Sequence, residues 1–223
     1  MSDRVLGPGP HTRVRRLAQK AQYEASVVYS ILDEARFCHV AAVVEGQAMA
    51  LPTLHAREGD VVYLHASQSN AVMKSVLRSG TASITATIYD GLRLARSGFE
   101  SSIAYRSVVI VGAVRPVDDD REKERVLTLF IDSILPGRSS EVRPMTLQEL
   151  RLTMVIAVSI DEASAKISCG ATEDSDADIE LPVWAGTVPA RLCFDEPIPA
   201  VDGAMARGAI EMPPSVRRLL GRA

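Results

Sequence analysis

Strong functional signals are scarce in this chain. Its 223 residues hold one tryptophan, five tyrosines and four phenylalanines, so aromatics make up only 4%. The three cysteines, Cys38, Cys169 and Cys193, cannot all pair within one chain and form no CxxC; that reads as reduced thiols in a cytoplasmic protein. The longest apolar run, Val108 to Val114, falls far short of the ~20 residues that span a bilayer. The basic N-terminus leads into Leu17-Ala18-Gln19-Lys20 with no apolar stretch behind it, so no signal peptide is read. A formal net charge of −3 and a pI of about 5.8 offer no broad basic field for nucleic acid. Four histidines without close cysteine or carboxylate spacing argue against a zinc site. No P-loop, GxGxxG or Ser-His-Asp order is present.

What remains is an ordinary globular composition, 47% hydrophobic and 24% charged, long enough for one large domain with its own core. Gly7-Pro8-Gly9-Pro10 makes residues 1–12 a loose, flexible lead-in. Apolar residues at spacings of three and four predict a helix over 21–35. Strands follow at 37–44, 48–56 and 61–66, separated by turns at Glu45-Gly46 and Glu58-Gly59-Asp60, then a short helix over 69–78 with Gly80 as its stop. Further strands are expected at 81–89, 92–96 and 106–117, with Asp90-Gly91 as a hairpin turn. Asp118-Asp119-Asp120 caps a helix ended by Pro136-Gly137, a short helical piece covers 147–150, and a long strand covers 153–166. The five carboxylates in 171–180 read as a solvated loop. The sum is a mainly β chain with peripheral helices, a six- to seven-stranded antiparallel barrel, closed or partly open.

Several strings then resemble a known family in the right order: Tyr63-Leu64-His65-Ala66-Ser67 before a short basic helix, Tyr105-Arg106-Ser107-Val108-Val109-Ile110-Val111-Gly112, Ser164-Ala165-Lys166, and Val183-Trp184-Ala185-Gly186-Thr187-Val188-Pro189. Ile31-Leu32-Asp33-Glu34-Ala35 with His39-Val40-Ala41 also fits. The chain resembles the flavin-nucleotide-binding split-barrel proteins related to pyridoxamine-5′-phosphate oxidase, near their nitroimidazole-reductase-like members. The resemblance covers residues 13–192, leaving 193–223 as a C-terminal extension packing on the domain. It implies a split β-barrel homodimer with FMN, or less commonly FAD or haem, in clefts at the dimer interface, acting on a small-molecule acceptor with no nucleic acid or membrane partner.

Carried over residue by residue, the resemblance assigns the flavin phosphate to His65, Ala66, Ser67, Asn70 and Lys74. Leu51, Pro52, Thr53 and Leu54 would lie along the ring, Ser107 would add a polar group, and Trp184 would come from the partner subunit. Where the family has Ser-Arg this chain has Asn70-Ala71, so one phosphate-binding guanidinium is missing and Lys74 remains as a point charge. The family's "RLHDR"-like ending is replaced by Arg191-Leu192-Cys193, which argues against pyridoxamine-5′-phosphate oxidase activity itself. Read from the residues alone, Ser67, Ser69 and Asn70 are either a helix cap or, with the helix dipole, a phosphate cradle. His65 is either a half-buried structural histidine or the group facing a substrate, the one catalytic candidate. His39 and His55 read as structural. Arg106 either meets an anionic ligand or pairs with a carboxylate. The function expected is a flavin-dependent oxidoreductase, against a flavin carrier or redox sensor, or a haem-binding relative.

Overall fold

The computed structural model describes residues 4–206, 208 and 210–221. Its regular elements are, in chain order, β1 (Ala21–Gln22), α1 (Ala25–Glu34), β2 (Cys38–Val44), β3 (Gln47–Thr53), β4 (His55–Glu58), β5 (Val61–Ser67), α2 (Ala71–Ser79), β6 (Thr81–Leu94), β7 (Ser102–Pro116), α3 (Asp120–Ile134), α4 (Leu147–Leu152), β8 (Thr153–Ser159), β9 (Glu162–Ser168), β10 (Gly186–Pro189), α5 (Gly203–Ala206) and α6 (Pro214–Leu219).

Antiparallel pairing runs β3-β2-β6-β7-β8-β5-β4, with β9 and β10 added along β7 and β6 and β1 paired with β9. This is the expected mainly β split barrel, and its sheet is not closed. β3 and β4 are consecutive in the chain, yet they stand at opposite ends of the pairing path. Leu54 is the link between them, so the barrel splits there. The other corner is β7, which pairs with β9 as far as Val111 and with β8 from Val114. Gly112 sits between, and a Cβ on it would lie 1.6 Å from the Ser159 carbonyl oxygen. Only glycine admits that approach.

Two apolar clusters hold the elements. The larger fills the barrel with Val40, Leu64, Ile84, Ile110 and Ile156, closed by Val28, Ile31 and Leu32 of α1 and by Val72, Met73 and Val76 of α2. The smaller joins the outer faces of β4, β5 and β8 to Val126, Leu127 and Phe130 of α3 and Leu150 of α4. Residues on β5 alternate between them: Val62 and Leu64 face the barrel and Tyr63 faces α3.

Four local expectations are corrected. Asp90-Gly91 is not a hairpin turn: β6 runs through it, and the register shift between Tyr89 and Gly91 makes it a bulge. The positive φ that Gly91 provides (140°) serves a bulge as well as a turn; the chain reverses at 95–101 instead, where the Ala95 amide donates to Ser101 Oγ at 3.0 Å. The stretches 48–56 and 153–166 are each two strands, because the barrel bends at Leu54 and turns at Ile160-Asp161. The first helix begins at Ala25, since Ala21 and Gln22 pair with Lys166 and Ala165. Finally, residues 4–12 are not loose; residues 1–3 lie outside the described residues. Leu6 is buried in the barrel cluster and exchanges backbone bonds with Tyr23 and Ala163, and Thr12 is buried with its hydroxyl on Glu162. Among the described residues no helix is long and apolar enough to cross a membrane.

Candidate functional site

The C-terminal end of β5 feeds directly into α2, and the polar residues between them cap that helix. Asn70 is its N-cap, its Oδ1 accepting from the Met73 amide at 3.0 Å. Ser67 Oγ accepts from the Ser69 amide at 3.3 Å and lies 3.0 Å from Ser69 Oγ. One turn on, Lys74 is exposed. Its backbone amide returns to the Asn70 carbonyl. The amides of Ala71 and Val72, the first two of the helix, have no acceptor within it and carry the positive end of its dipole. The end of α2 therefore presents two amides, two hydroxyls and one ammonium, a constellation suited to a phosphate. Of the two sequence readings, the helix cap is what the structure shows, with Asn70 on the Met73 amide.

The other assigned residues are arranged around this end only in part. Ala66 packs on the barrel cluster and pairs across to Met154. Leu51 is half-buried, Pro52 exposed and Thr53 half-buried on β3, and Leu54 is 38% exposed at the split. Because β4 pairs His55 with Leu64, the split brings Leu54 towards the same end of β5. Ser107 lies elsewhere, in mid-strand between Thr87 and Lys166. Trp184 is 66% exposed in the loop before β10, its ring over Gly186. One chain does not bring Ser107 or Trp184 to the end of α2.

His65 faces α3, its ring edge-on to Phe130 with centroids 4.5 Å apart. Its Nδ1 is buried without a hydrogen-bond partner. Burial holds its pKa below the usual imidazole value, so the ring is neutral at pH 7. His55 is nearly fully buried; its Nε2 lies 2.8 Å from the Leu32 carbonyl, one of the orphan acceptors at the end of α1. Burial depresses its pKa as well, against the Leu32 bond and Asp33. His39 is exposed beside Phe37.

Of the two readings of Arg106, the structure shows the carboxylate pairing, in a closed cluster at the end of α1 whose partners the sequence did not name. Arg106 Nε and Nη2 donate to Asp90 at 2.9 and 2.8 Å, and Nη1 and Nη2 donate to Glu34 at 2.5 and 2.7 Å. The guanidinium holds both carboxyls below the usual range, and they in turn raise its own pKa. Burial, then Asp90, pushes the nearby Cys169 thiol up. Arg106 is thus paired on both sides. Reading Asp90 as a turn residue hid this, since the partnership exists only once β6 continues past it. In the 171–180 loop, Asp174 is likewise gripped by Arg96 (2.8 Å), and the Ala171 carbonyl by Arg93. No cluster of potential metal ligands occurs among the described residues.

Two adjoining cavities, of 440 and 620 Å³, share Ala35, Arg36, Leu192 and Phe194 in their walls. Leu54, His55 and the end of α3 complete the smaller; Thr87, Asp90 and Arg106 help line the larger. Phe194 belongs to the C-terminal extension, 193–223, expected to pack on the domain. It lies just before Pro197 and Pro199 in a stretch with no periodicity, so nothing in the sequence marked it.

Comparison with known proteins places these features. The family model of pyridoxamine 5′-phosphate oxidase matches residues 24–167. The structure of the flavocytochrome Anf3 from Azotobacter vinelandii superposes with a TM-score of 0.88 at 31% identity, over 94% of this chain and 96% of that one. The FAD and heme binding protein from Mycobacterium smegmatis superposes with a TM-score of 0.83 at 33% identity, over 90% and 97%. A candidate 5-nitroimidazole antibiotic resistance protein from Bacteroides thetaiotaomicron shares the fold, with a TM-score of 0.57 at 21% identity over 66% and 86%. No curated protein sequence matches the chain.

Proposed function

Because the chain belongs to the pyridoxamine 5′-phosphate oxidase family, we propose that it is a homodimeric flavoprotein that transfers electrons to a small electrophilic acceptor. The observation that carries this reading is the open polar end of α2, where the Ala71 and Val72 amides, Ser67, Ser69 and Lys74 stand ready for a phosphate. The flavin-binding relatives, a flavocytochrome and an FAD and heme binding protein, support it. FMN is the form drawn from the sequence and FAD the form in the Mycobacterium relative's name. The cradle binds the phosphate they have in common.

A bound flavin would supply the redox chemistry, and the chain's part is to hold and orient it. Ser67 and Lys74 anchor the phosphate, and the Leu51–Leu54 backbone borders the ring at the split. Trp184 would come to the ring from a second subunit, while Ser107, in mid-strand on β7, is the assigned residue that the cradle leaves apart. His65 packs edge-on against Phe130 of α3, which favours the structural reading of that histidine over the substrate-facing one.

A second reading adds haem, supported by the two relatives whose names join a flavin to a haem, a flavocytochrome and an FAD and heme binding protein. The absorbance spectrum of the purified protein tests both. Two visible bands of oxidised flavin are expected, with the flavin identified after acid release; an added Soret band supports haem. A colourless protein that takes up neither FMN nor FAD overturns the flavin reading.

A further inference from the structure

A phosphate monoester carries about −1.5 to −2 charges at pH 7, and the cradle at the start of α2 sets one ammonium, that of Lys74, against them. Its other groups, the Ala71 and Val72 amides and the Ser67 and Ser69 hydroxyls, are neutral donors. Charge balance calls for a second cation, and the fold brings one to the same place. Strand β8 begins at Thr153, which pairs with Ser67, the last residue of β5. Helix α4 therefore ends beside the junction of β5 with α2. Gln68, the first residue past β5, donates from its side-chain amide to the Arg151 carbonyl at 3.5 Å, a long bond. Arg151 thus lies in the last turn of α4, two residues before the partner of Ser67, and it is exposed.

Nothing else claims its guanidinium. Arg115, Arg125, Arg138 and Arg143, on and around α3 and α4, each meet a glutamate, at 2.6, 2.6, 3.4 and 2.5 Å. Arg151 makes no ion pair among the described residues. Glu149, the acid closest to it in sequence, is taken by Arg143 and by the capping box with Thr146. Residues 61–79, which hold β5 and α2, contain no carboxylate at all. A lone exposed arginine in the last turn of a helix needs no ligand to explain it, since the helix dipole favours it there. Here two uncommitted cations, from different helices, adjoin one strand-to-helix junction that has free amides and no counter-charge.

We propose that Arg151 is a phosphate-binding residue of this site, the second cation of the cradle. Lys74 supplies a point charge, and the Arg151 guanidinium a planar fork that can take two phosphate oxygens. This role presupposes the reading of the start of α2 as a flavin-phosphate cradle, and adds to it the residue through which α4 takes part in binding.

Titration of the full-length apoprotein with FMN and with riboflavin, the same ring without the phosphate, tests it by quenching of flavin fluorescence. Wild type is expected to prefer FMN. Arg151→Gln is expected to narrow that preference about tenfold, through weaker FMN binding alone, with riboflavin affinity and the urea midpoint unchanged. Arg151→Lys is expected to recover only part of the loss, because it restores the charge without the fork. A preference undiminished in Arg151→Gln overturns the role of Arg151 and leaves the cradle standing. An equal fall in FMN and riboflavin affinity overturns it too, since Arg151 would then support the fold rather than the phosphate. A wild type that binds FMN no better than riboflavin, or binds neither, overturns the cradle itself and Arg151 with it.

Discussion

Two polar clusters stand at the ends of the first two helices, and they are built in opposite ways. At the end of α1 the guanidinium of Arg106 is closed between Asp90 and Glu34, four bonds in all. At the start of α2, Asn70 satisfies one amide and the rest of the cluster faces outward. In sequence the open cluster is one short run, whereas Glu34, Asp90 and Arg106 come from three separate elements. What separates them is pairing. A charge cluster whose members satisfy one another is architecture, while one with spare donors is available to an anionic ligand.

Breaking the closed cluster has the largest expected effect. Arg106→Met leaves two carboxylates facing each other, at a cost of about 2 kcal/mol in urea-monitored stability. That is less than the roughly 3–5 kcal/mol of a fully buried pair, because Glu34 is half exposed. The same substitution is expected to leave flavin retention intact; a variant that folds normally but loses flavin would show that the closed cluster serves the ligand.

Next comes the open cluster. Lys74→Met removes the one ammonium there, and weakens flavin affinity by about tenfold, roughly 1.4 kcal/mol, as measured by fluorescence titration of the flavin. Stability changes by less than about 0.5 kcal/mol, since Lys74 is exposed. Asn70→Ala should instead cost about 1 kcal/mol through loss of the cap, read as a shift in the urea midpoint.

Acid titration sharpens the contrast with the smallest effect. Glu34 and Asp90 have folded pKa values below their usual ones, chiefly through bonds to Arg106. Their contribution to stability is therefore fully present above the usual carboxylate range and fades as the pH falls through the lowered values. Wild type is expected to lose more stability than Arg106→Met over that acid interval. Parallel curves would mean the cluster contributes nothing measurable.

Much of the fold was legible because its signals are local. The capped helix after Asp119 formed as read, with Asp119 Oδ1 accepting from the Glu122 amide, and so did the Gly80 stop, in a left-handed conformation at φ 70°. The barrel class followed from short apolar runs separated by turns. Asp90-Gly91 failed for a physical reason: the same dipeptide makes a hairpin or a bulge, and only the partner strand decides. Residues 4–12 failed because Gly7-Pro8-Gly9-Pro10 forbids regular structure without forbidding burial, and Leu6 found the barrel.

The candidate site divides along the same line. Ser67, Asn70 and Lys74 are contiguous, so a strand-to-helix junction read from the sequence was enough to gather them. Arg106 meets Glu34 across 72 positions, and His55 meets Leu32 across 23; no periodicity reports such pairs. The sequence alone determined the order of elements, the apolar faces and the capped start of α2, all governed by neighbours within a few residues. Which charges close on one another, which histidine nitrogen is left without a partner, and that the tail reaches the cavities through Phe194 were decided by the tertiary structure, because they depend on distances that exist only after the sheet has bent at Leu54 and Gly112.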